Sequence, residues 1–140
     1  MQLTLEKILI LKQIPLFSDV PEPSLADFVS SSEEFSVVAG ADLIRKNTVW
    51  QDMFVLLQGQ IRIAQDAHIL ADLSNHAVFG EIYALAPQQT DLTVTALEDS
   101  TLFRISGEAL YQLMYEHKSI AKGIITNMCK RIRQESATFF

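Results

Sequence analysis

The sequence predicts an α+β domain, an antiparallel β-barrel with a pair of helices at each end. Apolar residues recur at helical steps near both termini. Between them they alternate or run in short bursts, and turn residues punctuate that stretch every eight to twelve positions or so. The chain has 140 residues, 49% hydrophobic and 20% charged, with mean hydropathy +0.17. That is enough apolar side chain for one buried core and too little length for two, so a single domain over 1–140 is expected and disorder is excluded as the default.

The elements follow in order. Residues 3–14 place Leu5, Ile8, Leu9 and Lys12 at three- and four-residue steps, which predicts an amphipathic helix ended by Pro15. Pro23 suits the first turn of a second helix whose Leu25, Phe28 and Val29 share a face, completing a helical region over about 3–33. The barrel is expected over about 35–105. Phe35, Val37 and Ala39 alternate with Ser36 and Val38, and Gly40-Ala41 turns the chain into Leu43-Ile44-Arg45. MFVLLQGQIRIA (53–64) reads as a hairpin of two strands around Gln58-Gly59-Gln60, with Gly59 supplying the positive φ of a tight turn. Further strands are expected at His68–Leu73, His76–Phe79, Leu92–Leu97 and Thr101–Ile105. Over about 107–135 the helical period returns through Leu110, Leu113 and Met114, then Ala121, Ile124, Ile125, Met128 and Ile132. Ser106 and Ser119 are candidate N-caps, so two helices with a bend near 117–119 are expected.

Charge and motif content exclude several functions. The net charge is −6 and the isoelectric point about 4.9, unfavourable to a polyanion such as DNA. Residues 1–110 carry six basic and 15 acidic side chains, whereas 111–140 carry five and two. Cys129 is the single cysteine, which suits a reducing, cytoplasmic setting; it falls on the apolar seam of the last helix as a small hydrophobe. No apolar run approaches the roughly 20 residues of a membrane span, and Glu6 ahead of the ILIL run argues against a signal peptide. His68, His76 and His117 lack metal-ligand spacing and read as surface or turn histidines. The pairs Glu33-Glu34 and Glu98-Asp99 fall in turn-like contexts, and no GxSxG, Walker loop or GxGxxG occurs, so an enzyme is not expected. Lys130, Arg131 and Arg133 lie in the last turns of a helix, where cations suit the macrodipole, and the chain closes on an apolar Thr138-Phe139-Phe140.

One stretch is more specific. Phe79-Gly80-Glu81-Ile82-Tyr83-Ala84-Leu85 runs from a strand into a short helix, downstream of IPLFSDVP (14–21), VVAGADLIRKN (37–47) and MFVLLQGQIRI (53–63). Together these resemble the cyclic-nucleotide-binding domain family over about Ile14 to Arg133, which implies a jelly-roll barrel, a double-stranded β-helix, with terminal helices. Asn47 stands where the family usually has glycine, a position asparagine tolerates.

The resemblance implies a ligand pocket formed by Phe79, Gly80, Glu81, Ile82, Tyr83, Thr90, Asp91, Leu92 and Thr93. In the family, Gly80 would let backbone approach a ligand, Glu81 would accept from a ribose hydroxyl, and the N–H groups of Ile82 and Tyr83 would face an anion. An arginine on the returning strand then neutralises the cyclic phosphate. In this register Thr90 takes the arginine slot and Asp91 the following small-residue slot, and no lysine or arginine occurs between Arg62 and Arg104. The expectation is a non-enzymatic regulatory module, without cofactor, that does not bind cyclic AMP or cyclic GMP in the usual way. It would act through a protein partner, a membrane-transport or signalling protein, or through self-association by Ala121, Ile125, Met128 and Ile132, with neither DNA binding nor membrane insertion. The alternative is a sensor that binds a cyclic nucleotide or other small molecule weakly in the Gly80-Glu81 pocket. In a purely structural role, Phe79 would pack, Gly80 would turn and Glu81 would satisfy nearby backbone N–H groups.

Overall fold

The computed structural model describes residues 4–135; Leu3, expected to open the first helix, and Thr138-Phe139-Phe140 lie outside them. Helices α1 (Thr4–Gln13) and α2 (Glu22–Ser31) precede the strands. Pro15 stops α1 as expected, and Pro23 sits in the first turn of α2. The buried stripe of α1 is Ile8 and Leu11, continued by Ile14, whereas Leu5 and Leu9 are exposed. The expected face was therefore about one position off. Lys12 instead leans across to the loop, donating to the Val20 carbonyl at 2.9 Å.

Ten strands follow: β1 (Glu33–Val37), β2 (Asp42–Ile44), β3 (Val49–Trp50), β4 (Asp52–Gln58), β5 (Ile61–Gln65), β6 (His68–Leu73), β7 (Val78–Phe79), β8 (Gln88–Gln89), β9 (Thr93–Ala96) and β10 (Ser100–Ser106). A short helix, α3 (Glu81–Leu85), separates β7 from β8. One sheet has the order β1-β10-β4-β7 and the other β2-β9-β5-β6, all antiparallel, with β3 and β8 paired separately. The result is a jelly-roll barrel flanked by helices.

The turn at Gly59 corrects the expected hairpin. Strands β4 and β5 flank it but belong to different sheets, so the chain turns a corner between layers. Two distant side chains clamp that corner. Asn75 Oδ1 accepts the Gly59 N–H at 2.8 Å, and Ser100 Oγ accepts the Gln60 N–H at 3.2 Å. Gly59 has φ +121°, and a Cβ there would collide with the Ser100 side chain. Gly59→Ala is accordingly expected to lower unfolding free energy by about 2–4 kcal/mol in urea denaturation, combining backbone strain and overpacking. The hairpin of this region instead joins β5 to β6 around Asp66, at φ +51°. Asn47 takes φ +68°, the left-handed turn expected of it.

Strand β4 explains the unbroken apolar run MFVLL. Phe54 and Leu56 join Trp50, Ile61, Phe79, Val94 and Leu102 between the sheets. Met53, Val55 and Leu57 point the other way, into a core with Phe17, Leu25, Phe28, Phe103, Ile105 and the terminal helices. A strand buried on both faces loses polar alternation.

Helix α4 (Gly107–Glu116) is capped by Ser106, whose Oγ accepts the Ala109 N–H at 3.1 Å, and the bend falls at His117 as expected. Helix α5 (Lys118–Glu135) begins one residue before the expected Ser119 cap. It packs through Ile120 and Ile124, with Met128 partly buried beside them. Ile125 and Ile132 stay exposed, and so does Cys129, which does not occupy the packed seam expected for it. Among the described residues no helix is long and apolar enough to cross a membrane, and no metal-binding cluster of His, Cys, Asp or Glu occurs.

Candidate functional site

The strand-to-helix corner has the geometry implied by Phe-Gly-Glu. Phe79 ends β7 inside the barrel, Gly80 turns at φ +85°, and Glu81 opens α3. A Cβ on Gly80 would lie 2.7 Å from the Asp52 carbonyl oxygen and 2.9 Å from Trp50 Nε1, so backbone already occupies the space glycine leaves. Trp50 Nε1 itself donates to the Asp52 carbonyl at 2.8 Å.

Trp50 then organises the barrel side of α3. Its indole stacks on Tyr83 at 4.2 Å and 8° and meets Phe79 edge-on at 6.3 Å. The Tyr83 hydroxyl lies 3.1 Å from Thr90 Oγ1, which also accepts the Leu92 N–H at 3.1 Å. Thr90 is 2% exposed, and its backbone is held on both sides by the Asn47-Thr48 turn. The Thr90 N–H donates to the Thr48 carbonyl at 2.9 Å, and its own carbonyl accepts the Asn47 N–H at 2.7 Å. Thr90, in the slot the resemblance gives to arginine, is thus a closed structural joint without positive charge. Asp91 is exposed and accepts from Gln65 Nε2; Leu92 packs against the inter-sheet core, Thr93 is half-buried on β9, and Ile82 is 45% exposed.

Glu81 has a different partner. It is 2% exposed, on the face of α3 that also buries Ala84 in the core beneath the helices. Arg131 Nη1 from α5 lies 2.7 Å from its Oε1. The contact is an ion pair rather than an aligned hydrogen bond, since that oxygen lacks a well-formed donor. Burial pushes the Glu81 carboxyl above the ordinary carboxylate range, and the Arg131 guanidinium opposes that rise. Its own backbone N–H also favours the charged form, so the structural role open to Glu81 from sequence stands beside the Arg131 contact. Thr90 and Glu81, expected to share one pocket, have separate partners.

Arg131 is the residue that sequence reasoning assigned elsewhere. Its place in the last turns of a helix suggested only a macrodipole role. Its separation from Glu81 by 50 positions leaves no local signal in the sequence.

Comparison with known proteins agrees with this architecture. The profile of the cyclic nucleotide-binding domain matches residues 34–117. An uncharacterized NTE family protein of Mycobacterium tuberculosis is 19% identical over 125 residues, covering 89% of this chain and 21% of that one. The chain thus spans about a fifth of the length of the curated relatives it matches. Among solved structures, the sensor domain of the transcriptional regulator DNR from Pseudomonas aeruginosa superposes with a TM-score of 0.84 at 19% identity, over 99% of this chain and 97% of that one. The catabolite activator protein of Thermus thermophilus gives 0.78 at 19% identity, over 88% and 60%.

Proposed function

The chain belongs to the cyclic nucleotide-binding domain family, and we propose that within it this domain is a non-enzymatic regulatory module that does not bind cyclic AMP or cyclic GMP in the usual way. The observation that carries the reading is Thr90, buried and bonded to Tyr83 and Leu92 where the family places its phosphate-binding arginine. A charge-assisted hydrogen bond contributes about 1.5–3 kcal/mol, so its loss alone weakens binding by roughly ten- to a hundredfold or more. Asp91 next to it adds repulsion toward a phosphate. The alternative, a small molecule seated at Gly80-Glu81, has less support, because Trp50 and the Asp52 carbonyl close the one and Arg131 holds the other. Titration calorimetry with cyclic AMP and cyclic GMP tests the reading, which predicts no saturable heat.

Output through protein contacts is supported by α5. It exposes Ile125, Cys129 and Ile132 beside Lys118, Lys122, Lys130 and Arg133, and it carries no carboxylate from 118 to 134. Two such faces repel one another, so a partner presenting carboxylates beside an apolar stripe suits this surface better than a second copy. The chain is expected to remain monomeric in light scattering at low ionic strength. A dimer that dissociates on Ile125→Asp would reassign the face to self-association.

A further inference from the structure

A second region, apart from the cassette, holds two opposite charges that do not meet. Arg104 on β10 lies opposite Phe54 of β4 on one side and Glu33 of β1 on the other. Its guanidinium carbon sits 4.8 Å from the Phe35 ring centre and 5.7 Å from that of Phe54. Its Nε is buried without a hydrogen-bond partner, and Arg104 joins none of the ion pairs among the described residues. Asp52, two positions from Phe54 on the same face of β4, is half-buried and likewise has no ion pair or side-chain hydrogen bond. Both residues line one cavity of about 370 Å³, walled on its apolar side by Leu43, Ile44 and Phe54. None of the cassette residues Phe79–Tyr83 or Thr90–Thr93 lines it.

Unpaired half-buried charges cost free energy, and a cation and an anion on one cavity wall ordinarily close on each other. Here Arg104 is laid over two rings instead, and it forms no ion pair with Asp52. The lining is of mixed charge, Arg45 and Arg104 against Asp42 and Asp52, with Glu33 across from Arg104, so a bare anion gains little from it. Asp42 is already occupied by the Thr95 hydroxyl at 2.8 Å, which leaves Asp52 as the acceptor without a donor. Burial, the largest effect, raises the Asp52 carboxyl, Arg104 partly offsets it and Glu33 raises it again. A molecule carrying both charges satisfies both residues, and the volume lies at the lower end of the about 300–1,000 Å³ of small-molecule sites.

We propose that this end of the barrel binds a small zwitterion of the α-amino acid class, its carboxylate on Arg104 and its ammonium on Asp52. This goes beyond the cassette reading and does not depend on it. The test titrates the whole chain with each of the twenty standard amino acids by calorimetry and ligand-observed NMR. At least one is expected to bind saturably with a Kd of about 1 mM or tighter. Its N-acetyl derivative, lacking the ammonium, and its methyl ester, lacking the carboxylate, should each bind about tenfold or more weakly. Asp52→Asn and Arg104→Gln should have the same effect. Because Arg104→Gln also removes packing on Phe35 and Phe54, the two derivatives test the wild-type chain independently of folding. The proposal is overturned if no standard amino acid binds saturably by about 10 mM, or if the N-acetyl derivative binds as tightly as its parent.

Discussion

Thr90→Arg combined with Asp91→Ala is expected to raise the domain's affinity for cyclic nucleotides by about ten- to a thousandfold. The reasoning is electrostatic. The cassette corner, its glycine turn and the N–H groups opening α3 are in place, while a cation to meet the phosphate is not. The substitution supplies that cation and removes the adjacent carboxylate. It also displaces a buried hydroxyl from Tyr83 and Leu92, so Thr90→Val serves as the control that loses those bonds without gaining charge. Calorimetry with cyclic AMP should show saturable binding for the double variant and none for the control. If the double variant folds, by circular dichroism, and still shows no binding, the missing charge is not what disables the site.

The second large effect concerns Arg131. Arg131→Met is expected to lower stability by about 1–3 kcal/mol near pH 7.5, less than the about 3–5 kcal/mol of a fully buried pair because the guanidinium is half exposed. The loss should depend on pH. The Glu81 carboxyl is raised above its unfolded value of 4.5, chiefly by burial. Above that value the folded state holds a proton the unfolded state has released, so stability falls as pH rises. The contribution is full below pH 4.5 and is lost as pH climbs through the raised folded value. Removing Arg131 raises that value further and steepens the decline, so the deficit relative to wild type is small near pH 4.5 and largest at neutrality. Adding Glu81→Gln to Arg131→Met should remove the extra pH dependence. Urea denaturation across this range checks both statements. A deficit that does not change with pH would mean that Arg131 contributes by packing alone.

What could be read from the chain divides along the range of the interactions. Local signals were legible: Pro15 and Pro23 around the first helices, Ser106 as a cap, Asn47 in a left-handed turn, and Phe79-Gly80-Glu81 at a strand-to-helix corner. Sheet membership was not. Gly59 between two apolar runs looks the same whether the strands pair or part, and Asn75 and Ser100, which hold the corner open, lie 16 and 41 positions away. The short pair β3–β8 leaves no pattern in the sequence, because two-residue strands carry no period. In α1, leucines at 5 and 9 mark a stripe as convincing as Ile8 and Leu11, and only the docking of α2 decides between them. The site divides the same way. The absence of arginine at Thr90 could be read directly, whereas the closure of that position by Tyr83 and the capture of Glu81 by Arg131 are tertiary facts.

The most direct measurement is calorimetric titration of the wild-type chain with cyclic AMP and cyclic GMP at low ionic strength, where phosphate attraction is least screened. A phosphate site built on Thr90 and Asp91 predicts no saturable binding up to about 1 mM of either nucleotide. Saturable binding with a Kd of about 10 μM or tighter, lost on Glu81→Ala, would contradict it and show that the cassette holds the phosphate without its arginine.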